Sequence, residues 1–91
     1  MPRHTEQRRA LINEHLHEFR VLRAQFPNRV DVQKQCSLGV VLISKGIEKG
    51  IVDGTNDHRY VTWYQHVMTI YQHLDDILGP ATIQRVLAEA K

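Results

Sequence analysis

The segment from Asn56 to Leu78 carries more apolar side chains than a helix with one buried face can use. At about 100° per residue, its apolar positions cover roughly 200° of the helix circumference. They are Tyr60, Val61, Trp63, Tyr64, Val67, Met68, Ile70, Tyr71, Leu74, Ile77 and Leu78. A helix that packs on a single core needs only about half of that arc. We therefore expect this helix to be covered on two sides, by its own chain or by another molecule.

The apolar arc of this third helix divides into two edges. The heptad edge, whose spacing is typical of helices that pair as coiled coils, comprises Trp63, Val67, Ile70, Leu74 and Ile77. The tyrosine edge comprises Tyr60, Tyr64, Met68 and Tyr71. We expect the tyrosine edge to face the chain's own core and the heptad edge to form a protein interface with a second copy or another protein. The alternative is a monomer in which the other helices cover both edges.

Hydrophobic periodicity and helix-ending residues together predict an all-α fold. The four expected helices span about residues 5–26, 31–49, 56–78 and 81–90. A chain of 91 residues can bury one modest core, so we expect a single helical domain over residues 1–91. Association through the third helix would add buried area, and the prediction is a small four-helix bundle that forms a homodimer.

Residues with good capping side chains set the predicted helix starts. Thr5 is the expected N-cap of the first helix and Asp31 that of the second. Thr55 or Asn56 is expected to cap the third helix.

Glycines provide further information about the second and third helices. Gly39, Gly46 and Gly50 lie beside the apolar stripe of the second helix, where the missing side chains would let another helix approach closely. Each interior glycine costs about 0.5–1 kcal/mol relative to alanine, which favours a packing reason. A short strand at Val40–Ile43 is the alternative, but the longer helical period favours a helix. Gly79-Pro80 is a strong helix-ending pattern for the third helix.

The charge distribution leaves open a role in nucleic-acid binding. The formal net charge is only +2, but residues 1–34 hold seven basic and four acidic side chains. A small nucleic-acid-binding regulator, in which Arg3, Arg8 and Arg9 contact phosphate, is the alternative to a protein-interaction role. Clusters of basic residues typical of dedicated nucleic-acid binders are missing from the sequence.

Side chains that could carry chemistry are isolated from one another in the sequence. His66 and His73 are seven residues apart, or roughly 10 Å along a helix, so they cannot share a metal ion without further ligands. Cys36 falls on an apolar face, where a free cysteine usually acts as a small hydrophobic residue. We therefore predict no catalytic residue, no metal and no cofactor. A third alternative is an enzyme or metal site with histidines at a subunit interface.

Histidine could also make this chain sensitive to pH. His15 lies within the apolar arc of the first helix, where we expect a neutral, hydrogen-bonded residue at the rim of the core. The alternative is a buried pH-sensitive group, a role that His66 and His73 could share.

These features predict a non-catalytic protein–protein interaction module, such as an adaptor, an inhibitor or a regulatory subunit. The single cysteine excludes an intrachain disulfide, and the sequence contains neither a signal peptide nor an apolar run of the ~20 residues that cross a membrane. We therefore expect a cytoplasmic protein with no membrane contact.

Overall fold

Helix α1 spans Pro2–Gln25 in the computed structural model, which describes the backbone of residues 2–90 and the side chains of residues 5–90. It begins three residues before Thr5, so the predicted N-cap is wrong. Proline suits the first turn of a helix because its φ angle is already helical and its missing N–H would have no partner there.

A four-residue connection joins α1 to the second helix. The amide of Gln33 donates hydrogen bonds to the carbonyl oxygens of Arg23, at 2.6 Å, and Phe26, at 3.0 Å. The backbone N–H of Arg29 also donates to the Phe26 carbonyl, at 3.2 Å. These bonds satisfy carbonyls that the end of a helix leaves without intrahelical partners, and they fix the chain reversal.

Helix α2 spans Val30–Glu48, and its N-cap is Arg29 rather than the predicted Asp31. Asp31 instead lies in the first turn, where its carboxylate accepts the backbone N–H of Val32 at 2.9 Å and pairs with the Arg29 guanidinium. A negative charge there is favourable because it lies near the positive end of the helix dipole. Residues 40–43 are helical, so the strand alternative is excluded.

Gly50 ends α2 in the left-handed conformation, with a φ angle of +75°. Its N–H donates to the carbonyl of Ile47, and the N–H of Ile51 donates to the carbonyl of Gly46, which is the Schellman pattern. The turn places Val52 in the core, with 1% of its surface exposed.

Helices α3, at Asp57–Leu78, and α4, at Pro80–Glu89, follow the predicted boundaries closely. Asn56 is the N-cap of α3, and its side chain accepts the backbone N–H of Arg59 at 3.0 Å. Gly79, with a φ angle of +85°, separates the two helices as expected.

The four helices form a bundle in which α1 and α3 lie on a diagonal. Helices α1 and α3 each pack against α2 and α4, and short connections make consecutive helices antiparallel. Among the described residues, the largest side chains that are completely enclosed are Ile12, Phe19, Leu22, Val32, Cys36, Ile43, Val52, Val67 and Leu74. Because α4 has 10 residues against 22 in α3, it covers only part of the space between α1 and α3.

Two glycines of α2 allow aromatic side chains to pack directly on its backbone. A Cβ atom at Gly39 would lie 2.6 Å from the Phe19 ring, and one at Gly46 would lie 2.5 Å from the Trp63 indole. The predicted close approach is confirmed at these two positions. It is wrong for Gly50, where a Cβ atom would meet no neighbour and the left-handed turn is the reason for glycine.

The structure confirms an all-α fold of four helices for residues 2–90. Within the described part of the chain, every helix is too short or too polar to cross a membrane.

Candidate functional site

The heptad edge of α3 faces the interior of its own chain. Val67 and Leu74 are completely buried, Trp63 and Ile70 are 7% and 8% exposed, and Ile77 is half-buried. The structure therefore corrects the predicted use of this edge. The chain itself covers it, which is the alternative that the sequence left open, and four of its five residues are buried, which leaves little surface for a second copy.

The tyrosine edge is also covered, mainly by side chains of α1. Tyr60 is 8% exposed, and Tyr64 and Tyr71 are half-buried. Phe19 stacks on Tyr71 with a centroid distance of 4.7 Å, and the Arg8 guanidinium lies 4.1 Å from the centre of the Tyr60 ring. The expectation that this edge faces the chain's own core is confirmed.

Two of the three arginines that were predicted to contact phosphate form ion pairs within the chain. Arg8 pairs with Asp57 at 2.5 Å, and Arg9 forms a two-pronged ion pair with Asp53. The hydrogen bond from Arg9 lowers the pKa of the Asp53 carboxyl and raises that of the guanidinium. The side chain of Arg3 lies outside the described residues. Arg8 and Arg9 thus have their charges compensated by carboxylates, which reduces the attraction that they would exert on a nucleic acid.

His15 is the centre of a hydrogen-bonded network that joins α1 to α3 across the bundle. Its Nε2 lies 2.7 Å from the Tyr64 hydroxyl, and its Nδ1 lies 2.8 Å from the Tyr71 hydroxyl. The Tyr71 hydroxyl in turn donates to Glu18 at 2.7 Å. The His15 side chain is only 14% exposed, so these partners replace the water that a histidine at the surface would bind.

The network fixes the tautomer of a neutral His15. Because the single hydroxyl proton of Tyr71 points to Glu18, its oxygen must accept a hydrogen bond from His15 Nδ1–H. The unprotonated Nε2 then accepts the hydroxyl proton of Tyr64. The donors form one directed chain, from Tyr64 through His15 and Tyr71 to the Glu18 carboxylate. This geometry matches the expected hydrogen-bonded histidine at the core rim.

The two phenols of this network hold their protons tightly. Burial is the main cause that raises the pKa of Tyr71 far above its usual range, and the hydrogen bond to Glu18 raises it further. Burial also raises the pKa of Tyr64, with smaller contributions from Tyr60 and Glu18. A phenol whose ionisation is suppressed is a poor nucleophile, so the network is suited to holding two helices together and not to covalent chemistry.

Cys36 is a core residue with an unreactive thiol. It is completely buried, and burial raises its pKa from 9.0 to about 11. The thiolate that nucleophilic attack or metal binding requires is therefore rare at neutral pH.

His66 and His73 lie on the exposed side of α3 in two separate cavities. His66 borders a cavity of about 390 Å³ between α3 and the loop that follows α2. His73 borders one of about 270 Å³ between α2 and α3, where its Nδ1 lies 3.2 Å from the Gln35 amide oxygen. Nowhere in the described structure do three His, Cys, Asp or Glu side chains gather as a metal site would need.

The outer face of α2 carries an exposed apolar pair that the sequence analysis missed. Leu38 and Val41 are 48% and 51% exposed, and they adjoin each other one helical turn apart. Lys34 and Lys45 lie one turn beyond each end of the pair, and neither forms an ion pair within the described residues. We call Lys34, Leu38, Val41 and Lys45 the α2 outer face. The signal in the sequence was a second apolar pair opposite the main stripe, at positions that the core does not need.

Comparisons with protein-family models, with curated proteins and with solved structures yield no match to this chain.

Proposed function

We propose that this chain is a non-catalytic protein–protein interaction module, of the adaptor, inhibitor or regulatory-subunit kind, and that it docks a partner on the α2 outer face. The exposed Leu38–Val41 pair is the observation that supports this proposal most strongly. Leu38 and Val41 are two adjacent large apolar residues at half exposure on a regular helix. A helix offers a preformed surface, so docking there requires little ordering of this chain.

The chemistry of the α2 outer face favours an amphipathic helix with acidic flanks as the partner. The four positions are spaced by four, three and four residues, which is the spacing of a helix–helix contact. Lysines flank the apolar pair at both ends, so carboxylates at matching positions of the partner helix would be attracted to them.

A second copy of the chain fits the same face less well. In an antiparallel α2–α2 pair centred on Leu38 and Val41, Lys34 of one copy would oppose Lys45 of the other. In a parallel pair each lysine would oppose its own equivalent. Both arrangements bring like charges together, which disfavours the pairing. We therefore place a foreign acidic helix before the homodimer in this proposal.

A cytoplasmic site of action is part of the same proposal. It is supported by Cys36, the single cysteine of the sequence, which is a buried free thiol. Reduced cysteine is typical of the cytoplasm.

The test uses designed helical peptides of about three heptads, with leucine at the a and d positions and either glutamate or lysine at e and g. Titration calorimetry should detect binding of the glutamate peptide, and the lysine peptide should bind at least about tenfold more weakly. Val41→Lys should weaken binding by about 1 kcal/mol or more, because half of a valine side chain no longer becomes buried.

Val61 provides a matched control on another helix, because it is a valine with 52% exposure. Val61→Lys changes the same residue type and charge, and it should leave peptide binding unaltered. Reversing both flanking charges with Lys34→Glu and Lys45→Glu should switch the preference to the lysine peptide. Equal losses in Val41→Lys and Val61→Lys would remove the proposal. Sedimentation showing a dimer that Val41→Lys dissociates would assign the face to a second copy instead.

A further inference from the structure

The cavity of about 390 Å³ beside the first half of α3 combines an apolar floor with an uncompensated basic rim. Trp63 and the half-buried Ile51 supply the apolar surface, and the rim consists of His58, Arg59, Thr62 and His66. The volume lies within the range of small-molecule sites. None of the residues that line the cavity is acidic.

Local structure explains why these side chains meet. Residues 58, 62 and 66 follow one another at four-residue spacing, so they lie on one face of α3, about 6 Å apart along the axis. The left-handed turn at Gly50 directs the chain so that Ile51 closes the cavity from the side of the loop.

The floor of the cavity is rigid. The Trp63 indole N–H donates to the carbonyl oxygen of Leu42 at 3.2 Å, and the ring packs against the backbone at Gly46. A ligand that lies on this ring would therefore meet a preformed apolar surface, which lowers the entropic cost of binding.

The polar groups on the rim are unpaired and point to an anion. Within the described residues, the side chains of His58, Arg59 and His66 form no hydrogen bond or ion pair with the rest of the chain. This contrasts with Arg8 and Arg9, which are held by carboxylates. An arginine fork is well shaped for a carboxylate, and an imidazole N–H can donate a further hydrogen bond to it.

We propose that this cavity is a binding site for a small ligand with an apolar, ring-sized body and one carboxylate group. The body rests on Trp63 and Ile51, and the carboxylate accepts hydrogen bonds from Arg59 and from the imidazole N–H of His66. The loop contributes only Ile51 to the lining, so all polar groups of the site come from α3. This site shares no residue with the α2 outer face.

The probe is 3-phenylpropionate, and it is compared with its neutral amide and with acetate, which lacks the ring. The sequence has one tryptophan, so the single indole N–H resonance in a ¹⁵N-correlated NMR spectrum reports directly on the cavity. We expect saturable shifts of that resonance with a dissociation constant on the order of 1 mM, as suits a ligand of this size. The amide and acetate should each bind at least about fivefold more weakly.

Variants on the rim separate specific recognition from general electrostatics. Arg59→Gln should weaken binding of 3-phenylpropionate about fivefold to tenfold, whereas Arg85→Gln, at an exposed position on α4, should leave it unchanged. His66→Gln should also weaken binding, because it replaces the imidazole N–H that donates to the carboxylate of the probe.

Three results would overturn the proposal. The first is that the shift of the indole resonance does not saturate by about 20 mM probe, well above the expected dissociation constant. The second is that Arg59→Gln and Arg85→Gln lose the same amount of affinity for the probe. The third is that the probe shifts other resonances but not that of the indole N–H. The NMR spectrum of each variant shows in the same experiment whether the fold is retained.

Discussion

Replacing Gly46 with alanine should destabilise the protein, although alanine is the better helix former. The new Cβ atom would lie 2.5 Å from Cε2 and 2.8 Å from Nε1 of Trp63, and closer still to Cζ2. Carbon atoms in contact prefer about 3.5–4.0 Å, so the indole would have to move by about 1 Å. Its hydrogen bond to the Leu42 carbonyl and its 7% exposure leave it little room to do so.

The magnitude follows from two opposing contributions. Overpacking a core costs about 1–3 kcal/mol. The new Cβ atom would lie about 1 Å too close to a ring that is held in place, so the cost should be at the upper end of that range. The higher helix propensity of alanine offsets about 1 kcal/mol of this cost in the free energy of unfolding. The net loss for Gly46→Ala is about 2 kcal/mol. With an m-value of about 1–2 kcal/mol/M, the urea midpoint should fall by about 1–2 M in circular dichroism at 222 nm.

A double-mutant cycle with Trp63→Phe tests the cause of this loss. Phenylalanine lacks the indole atoms that the new Cβ would strike, so Gly46→Ala in the Trp63→Phe background should be neutral or stabilising by up to ~1 kcal/mol. The coupling between the two positions should therefore approach about 3 kcal/mol. The reasoning is refuted if Gly46→Ala costs the same in both backgrounds, or if it stabilises the wild-type protein.

Three further predictions concern ionisation, the histidine network and a helix end. Burial raises the pKa of the Cys36 thiol to about 11 in the folded state, compared with 9.0 in the unfolded state. As the pH rises, the thiol therefore ionises at a lower pH in the unfolded state than in the folded state. Stability should then fall by up to ~1.4 kcal/mol per pH unit between these values, a loss that urea curves of Cys36→Ala should lack. Long-range ¹⁵N NMR should show that neutral His15 carries its proton on Nδ1. Tyr71→Phe should remove this tautomer preference and lower the free energy of unfolding by about 1–2 kcal/mol. A tautomer that is the same in Tyr71→Phe as in the wild-type protein would contradict the network. Gly79→Ala should cost about 2 kcal/mol in urea unfolding because φ is +85° there, and a neutral result would show that the turn relaxes.

The helices and most of their ends could be predicted because their causes are local. A 3.6-residue apolar period and the Gly79-Pro80 pair determine where α3 lies, and the structure agrees. The starts of α1 and α2 were missed because a good capping residue is not obligatory. Thr5 lies inside α1, and Asp31 accepts an N–H from within the first turn of α2.

The sequence did not predict which molecule covers the heptad edge, and the reason is different. The width of an apolar arc tells how many sides of a helix are buried, but not which chain buries them. Trp63 illustrates this limit, because its contact with Gly46 depends on how closely α2 and α3 approach. The glycine pattern of α2 did indicate that approach, but it does not tell which helix approaches α2.

The hydrogen-bond partners of His15 could not be predicted from the sequence, for a similar reason. Its place in the apolar arc predicts a hydrogen-bonded imidazole, but Tyr64 and Tyr71 are 49 and 56 residues away in the sequence. They meet His15 because α1 and α3 lie on a diagonal that long side chains must bridge. The bridge is polar, and no buried side-chain nitrogen or oxygen among the described residues lacks a partner.

The distribution of paired and unpaired charged groups distinguishes the surface that maintains the fold from the surfaces that we propose for binding. On the α1–α3 diagonal, Arg8 and Arg9 are held by carboxylates and His15 has a partner at each nitrogen, so binding another molecule there would first have to break these bonds. The α2 outer face and the cavity at Trp63 instead carry cations that have no ion-pair partner among the described residues, beside exposed or accessible apolar surface. A ligand with a negative charge and an apolar part gains both contacts at these places without breaking an internal bond. Recognition is therefore expected from α2 and the exposed side of α3, while the α1–α3 diagonal maintains the fold that presents them.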